Sequence, residues 1–179
     1  MMNVAQGYVV QPNTVVIGSS LGGLTAARVA EREPRVSGLF LMAPAFKFLE
    51  VAGKTAGDEW ETYMAQGWFE VDDSLTEGKT RVHTDFVTEL ARYDIGFPNV
   101  TVPTTIVHGV RDESVPIEHS RQFVEYTNHA SLAVSAERNE VPLVRPLARL
   151  IEVDDDHALS SNMPWLLAEI EAFVETIGS

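Results

Sequence analysis

Residues 15–30, VVIGSSLGGLTAARVA, decide the fold. Residues 15–18 form a short β-branched run closed by glycine, the pattern of a buried strand. Residues 21–33 have helical spacing and stop before Pro34, because the residue ahead of a proline is pushed out of the α region. Between them, Gly18-Ser19-Ser20-Leu21-Gly22 fits G-x-S-x-G with Ser20 at its centre. In such an elbow the chain turns so sharply from strand to helix that the central serine stands strained at the tip. Small residues are expected two before and two after it, where the chain packs on itself, so Gly18 and Gly22 are the elbow glycines. Centring on Ser19 would put Ile17 and Leu21 at those positions, which fails. The backbone N–H of Leu21, at the helix N-terminus, is suited to stabilising an oxyanion. The same residues also read as a glycine-rich turn without chemistry, or one cradling a phosphate. Against the phosphate, the stretch lacks both the P-loop lysine and the G-x-G-x-x-G spacing.

A serine needs a base to activate it, and the base needs an acid to orient it. Two later strand ends offer them. In IVHGVRDESVP, residues 106–116, an apolar strand ends at His108-Gly109 and Asp112 sits in the following loop. The carboxyl ends of parallel strands are where such sheets place their sites. Glu113 is the competing carboxylate, and an aspartate there also serves simply to shape a turn. His108, just ahead of the glycine, reads as structural. In IEVDDDHALS, residues 151–160, a strand runs into three aspartates and then His157. Asp154, Asp155 and Asp156 are close enough to raise its pKa, although an acidic run is commonly just a solvated loop. His119 falls on an expected helix, His129 in an irregular stretch, and His83 precedes Asp112. Ser20, Asp112 and His157 therefore follow three different expected strands in the order Ser, Asp, His.

The remaining pattern is α/β. Val36–Met42, residues 104–108 and Ala148–Val153 are further strands, and strands alternating with helices imply a parallel sheet covered on both faces. Ser160 or Asn162 is placed to cap a last helix with Pro164 in its first turn. Trp165, Leu166, Ile170, Phe173, Val174 and Ile177 share one face of it. Residues 46–99 interrupt the alternation, with helices expected at 58–66 and 79–93 and GWFEVDD as one arm of a hairpin. After a helix over 117–126, residues 127–146 look like an excursion, either a hairpin or a mobile loop. No linker separates two domains, so the expectation is one domain over 1–179.

The formal charge of −13 argues against a nucleic-acid partner or an anionic membrane surface, both of which need a basic patch. The absence of cysteine excludes disulfides, thiolate catalysis and zinc–thiolate sites. No basic patch followed by an apolar core opens the chain, and no apolar run is long enough to span a bilayer, so a cytoplasmic location is expected.

The stretches GSSLGG, HGVRDESVPIEHSRQF and LIEVDDDHAL, with APAF, WETYMAQGWFEV and FVTELARYD between them, resemble the small single-domain α/β-hydrolases of the YqiA esterase type. The resemblance runs from about Val15 to the last helix. It implies Ser20 as nucleophile, Asp112 as acid and His157 as base, acting on a small carboxylic ester or thioester with no cofactor and no metal. It also implies that residues 46–99 are a small cap over the site. Trp60, Met64, Trp68 and Phe69 are then candidates to line an acyl pocket, though such stripes also build cores. The chain departs from the pattern at its front, where these enzymes carry further strands, the first ending in His-Gly and supplying a second oxyanion donor. The expectation from the resemblance is an α/β-hydrolase-like sheet that is N-terminally truncated relative to that fold. Losing one donor costs roughly 100- to 1,000-fold in rate, unless another N–H, such as one near Gly7, substitutes. Missing strands would leave a sheet edge uncovered, and three expectations follow: a fragment or a misassigned start, a natural minimal hydrolase, or a homodimer completing that edge. The competing expectation is a non-catalytic α/β domain that keeps these residues but serves as a binding or assembly module.

Overall fold

The structure, a computed structural model, describes residues 13–73, 78–93, 96–137 and 146–178. Two compact units emerge: the described residues up to Phe46 together with those from Phe97 onward, and Lys47–Gly96.

The first unit is built on a parallel sheet. Its strands are β1 (Thr14–Ser19), β2 (Val36–Met42), β5 (Thr104–Gly109) and β6 (Ala148–Val153), in the order β1-β2-β5-β6. The helices are α1 (Leu21–Ala30), α5 (Ile117–Glu137) and α6 (Met163–Gly178). Alternate residues of a strand point to opposite faces, yet Leu39, Phe40 and Leu41 in the middle of β2 are all fully buried. Both faces of the sheet are therefore covered, as the unbroken apolar run of this strand requires. Phe40, Val107, Leu159, Leu166 and Phe173 form one core cluster, with Ile170 and Ile177 packed against it. Thus α6 packs its Leu166, Ile170, Phe173 and Ile177 side onto the sheet, with Phe40 and Phe173 meeting edge to face. Trp165 and Val174 flank this stripe and are exposed, so the expected apolar face is narrower than its sequence suggests. Phe46 stacks on Phe123 of α5, and Phe97 meets both edge on. Among the described residues β1 pairs only with β2, and its Ile17 is 45% exposed.

Three expectations about local structure change. The segment 127–146 does not begin as a loop, because α5 continues to Glu137. No glycine or proline interrupts residues 117–137, and Ala, Glu and Leu keep the helix running. Residues 138–145 lie outside the described part. The approach to α6 is more ordered than a simple cap: a 3₁₀ turn, Ser160–Asn162, leads directly into it, and the Asn162 side-chain amide donates to Asp155.

The third change lies in the second unit. The helix expected over 79–93 is a strand, β4 (Gly78–His83), followed by a helix, α4 (Thr84–Leu90). β4 pairs antiparallel with β3 (Trp68–Asp73), so GWFEVDD does supply one arm of a hairpin. The cross-strand partner decides for strand here: Thr80 and Val82 alternate along β4, and Arg81 lies 4.1 Å over the Trp68 ring. This unit also holds α2 (Phe48–Ala56) and α3 (Trp60–Gln66), the latter matching the end of the expected 58–66 helix. Trp60 and Met64 lie on α3, Trp68 and Phe69 on β3, and the Phe69 ring meets Tyr63.

Candidate active site

Ser20 stands between β1 and α1 with φ 51° and ψ −122°, a conformation that costs a non-glycine residue free energy and persists only when its surroundings enforce it. The enforcement is visible. The Ser20 N–H donates to the Met42 carbonyl at 2.9 Å. The Ser20 carbonyl accepts from Gly23 at 2.9 Å, Leu24 at 3.3 Å and Ala45 at 2.9 Å. The Leu21 N–H opens α1 and has no carbonyl one turn back to bond. Gly7, raised above as a place for a second donor, lies outside the described residues.

The elbow is tight at Gly18 and Gly23 rather than at Gly18 and Gly22. A β-carbon on Gly18 would lie 2.3 Å from the Gly22 carbonyl oxygen, and one on Gly23 would lie 2.8 Å from the Pro44 side chain. At Gly22 it would meet nothing within 4 Å. The small residue after the serine is thus demanded one position later than the motif suggests.

Asp112 lies in the loop after β5, with its side chain fully buried. Its Oδ1 accepts the N–H groups of Ser114 and Val115, each at 2.8 Å, which fixes the carboxylate plane. Its Oδ2 faces two imidazoles: Nδ1 of His157 at 2.6 Å and Nε2 of His108 at 3.1 Å. On the far side of the His157 ring, Nε2 is 2.9 Å from the Ser20 hydroxyl. Ser20, His157 and Asp112 are therefore joined in one hydrogen-bonded line, although the first and last follow strands separated by β2. Glu113, the competing carboxylate, is exposed.

The loop carrying His157 is held from inside. Asp155 is buried, accepting the Asp156 N–H at one oxygen and both the N–H and the side-chain amide of Asn162 at the other. Arg111 donates its N–H to the Asp155 carbonyl. Gly109 permits this approach, since a β-carbon there would sit 2.4 Å from the Asp155 carbonyl oxygen and 2.5 Å from that of Asp156. The three aspartates thus differ in role: Asp154 pairs with Arg111 at the surface, Asp155 anchors the loop, and Asp156 lies near His157. Reading them together as a solvated run concealed the anchor. A buried carboxylate needs several donors, and Asn162 was the visible partner.

The electrostatics suit a base oriented by an acid. Burial pushes the Asp112 carboxyl up, but hydrogen bonds from His108, His157 and the Val115 N–H outweigh it and hold the group well below the usual carboxylate range. The hydrogen bond to Asp112 raises His157 above its ordinary value against the effect of desolvation, and the charges of Asp112 and Asp156 add to the rise. Elsewhere, His119 is buried and bonded to the Phe46 carbonyl, His129 lies on α5, and His83 ends β4. Among the described residues no cluster of His, Asp and Glu is arranged to hold a metal ion. No described helix is long and apolar enough to cross a membrane.

The model of an uncharacterised protein family, UPF0227, matches residues 3–175. No curated protein matches the chain. Among solved structures, alpha/beta hydrolase domain-containing protein 10 from mouse is 22% identical with a TM-score of 0.70, over 96% of this chain and 65% of its own. A putative hydrolase from Agrobacterium vitis is 22% identical with a TM-score of 0.65, over 89% of this chain and 60% of its own. Est1E from Butyrivibrio proteoclasticus, bound to ferulic acid, is 20% identical with a TM-score of 0.63, over 91% and 59%. The chain thus spans under two thirds of the length of each of these proteins. The likeness establishes an α/β-hydrolase fold.

Proposed function

The chain belongs to the uncharacterised protein family UPF0227, and from that premise we propose that it is a serine hydrolase cleaving small carboxylic esters or thioesters. The observation that carries this is the unbroken line from the Ser20 hydroxyl through His157 to Asp112, at 2.9 and 2.6 Å, starting from a strained serine. In this reaction His157 Nε2 takes the Ser20 proton as the serine oxygen bonds to the substrate carbonyl carbon. The Leu21 N–H faces the developing oxyanion, with a second donor required beside it. Collapse breaks the bond to the alkoxide or thiolate, which leaves with the proton from His157. A water molecule, deprotonated by His157, then releases the acid and restores Ser20. Asp112 stays ionised throughout and holds the imidazole with Nε2 toward the serine.

Hydrolysis of a short-chain p-nitrophenyl ester, abolished by Ser20→Ala, together with fluorophosphonate labelling that disappears in the same variant, is the expected result. A folded protein that neither hydrolyses the ester nor reacts with the fluorophosphonate returns the chain to the binding or assembly module.

A further inference from the structure

His108 reads from sequence as a structural histidine, and its burial fits that. Its contacts go further. The ring is fully buried at the end of β5. Nε2 lies 3.1 Å from the Val115 carbonyl and also 3.1 Å from Asp112 Oδ2. A carbonyl only accepts, so Nε2 carries the proton and shares it between the two oxygens. Nδ1 is then the acceptor for the buried Ser120 hydroxyl at 2.8 Å. Val115 and Ser120 alone would satisfy both ring nitrogens. The additional contact is with the very oxygen that receives His157.

We propose that His108, held by Ser120, is a positioning residue that donates a second imidazole N–H to Asp112 Oδ2 and so limits how strongly Asp112 draws on the proton of His157. Because Ser114 and Val115 occupy Oδ1, both imidazoles compete for Oδ2. With His108 donating, part of the electron density of that oxygen is engaged, and the carboxylate is a weaker acceptor for His157. The catalytic consequence rests on the serine-hydrolase reading, whereas the coupling of the two rings does not. Other charges face the pair. Glu152 of β6 lies beside His108 in register and is tied to Arg121 of α5. Asp156 faces His157 from its own loop, and Arg111 with Asp154 forms an exposed pair near it. None of these occupies Oδ2.

The test is an NMR titration of the His157 ring in the full chain, which needs no activity. His108→Leu removes the N–H and should raise the His157 midpoint by roughly 0.5 to 1 pH unit, the scale of one ordinary net hydrogen bond, because the effect reaches His157 only through Asp112. His108→Gln, whose terminal amide reaches the place of Nε2, should bring it back toward wild type. Ser120→Ala frees Nδ1 and should shift it in the same direction by less. A midpoint that stays put or falls in folded His108→Leu overturns the proposal. If that variant does not fold, Ser120→Ala decides by the same criterion. A wild type without hydrolysis sinks the serine-hydrolase reading and leaves the titration readable. An active enzyme with an unmoved midpoint sinks only the role of His108.

Discussion

The G-x-S-x-G pattern assigns equal standing to two glycines, and the structure separates them. On Gly18 a methyl group would stand 2.3 Å from the Gly22 carbonyl oxygen and 2.9 Å from the Gly23 α-carbon, all of it backbone. Ordinary contact starts at 3.4 Å, so β1 and α1 must part by roughly 1 Å. Overpacking of this kind costs about 1–3 kcal/mol, or about 2–12 °C in Tm for a chain of this size. The parting falls at Ser20, 2.9 Å from His157, and in the proposed reaction a 1 Å misplacement of the serine costs on the order of 100-fold in rate. Gly22→Ala is the control. Its methyl group meets nothing, and replacing a helical glycine by alanine gains up to about 1 kcal/mol, or about 2–4 °C. The assays are thermal unfolding by circular dichroism and kcat/KM on a p-nitrophenyl ester. Gly18→Ala should lose both stability and activity, while Gly22→Ala keeps its activity and melts no lower than wild type. Equal losses in the two variants, or an unaffected Gly18→Ala, would refute the geometric account, and the melting data decide this even without hydrolysis.

Four more outcomes can be measured. In the proposed reaction His157 has to be neutral to accept the serine proton, and its contact with Asp112 raises it above 6.5, so kcat/KM should fall as pH drops through a midpoint above 6.5; an acid limb below that value contradicts the Asp112 contact. Stability has the opposite signs for the two partners: the His157 contribution, complete below 6.5, is lost as pH rises through its folded value, whereas that of Asp112, complete above 3.8, is lost as pH falls, which urea midpoints across pH should reveal. Asn128→Ala removes both side-chain bonds to Ala148, each 2.9 Å, and should cost about 1–3 kcal/mol by urea unfolding with kcat unchanged; a silent variant would mean that α5 does not clamp the start of β6. If a second copy pairs along β1, sedimentation should give a dimer that Ile17→Lys, at a partly exposed position of that strand, dissociates, and a stable monomer at all concentrations rejects that pairing.

What could be read in advance was what a strand end announces. Ser20, Asp112 and His157 each follow an apolar run, and a parallel sheet brings the carboxyl ends of its strands to one edge. Their meeting therefore followed from topology, even with β2 between β1 and β5. Elements whose identity depends on a partner were harder. Gly78–His83 carries both helical and alternating patterns, and only its pairing with Trp68–Asp73 selects the strand. Residues 127–137 read as the start of an excursion, either a hairpin or a loop, although the lack of glycine and proline there was the better guide to α5.

The loops hid the most. His108 could be recognised as buried, because an imidazole in the run TTIVHG has to be, but its partner could not. Whether Asp112, four residues on, folds back over the strand end depends on the turn through Ser114 and Val115. Asp155 was lost among three aspartates for the same reason. One residue did carry the information in a form not easily seen. Gly109 reads as the end of a strand, yet the carbonyls of Asp155 and Asp156 occupy the space a side chain would take there. A larger residue at that position would push away the loop that bears His157, and the 2.6 Å contact with Asp112 would open. The glycine that closes β5 therefore sets how near the next loop can come, and that nearness brings the imidazole to its acid.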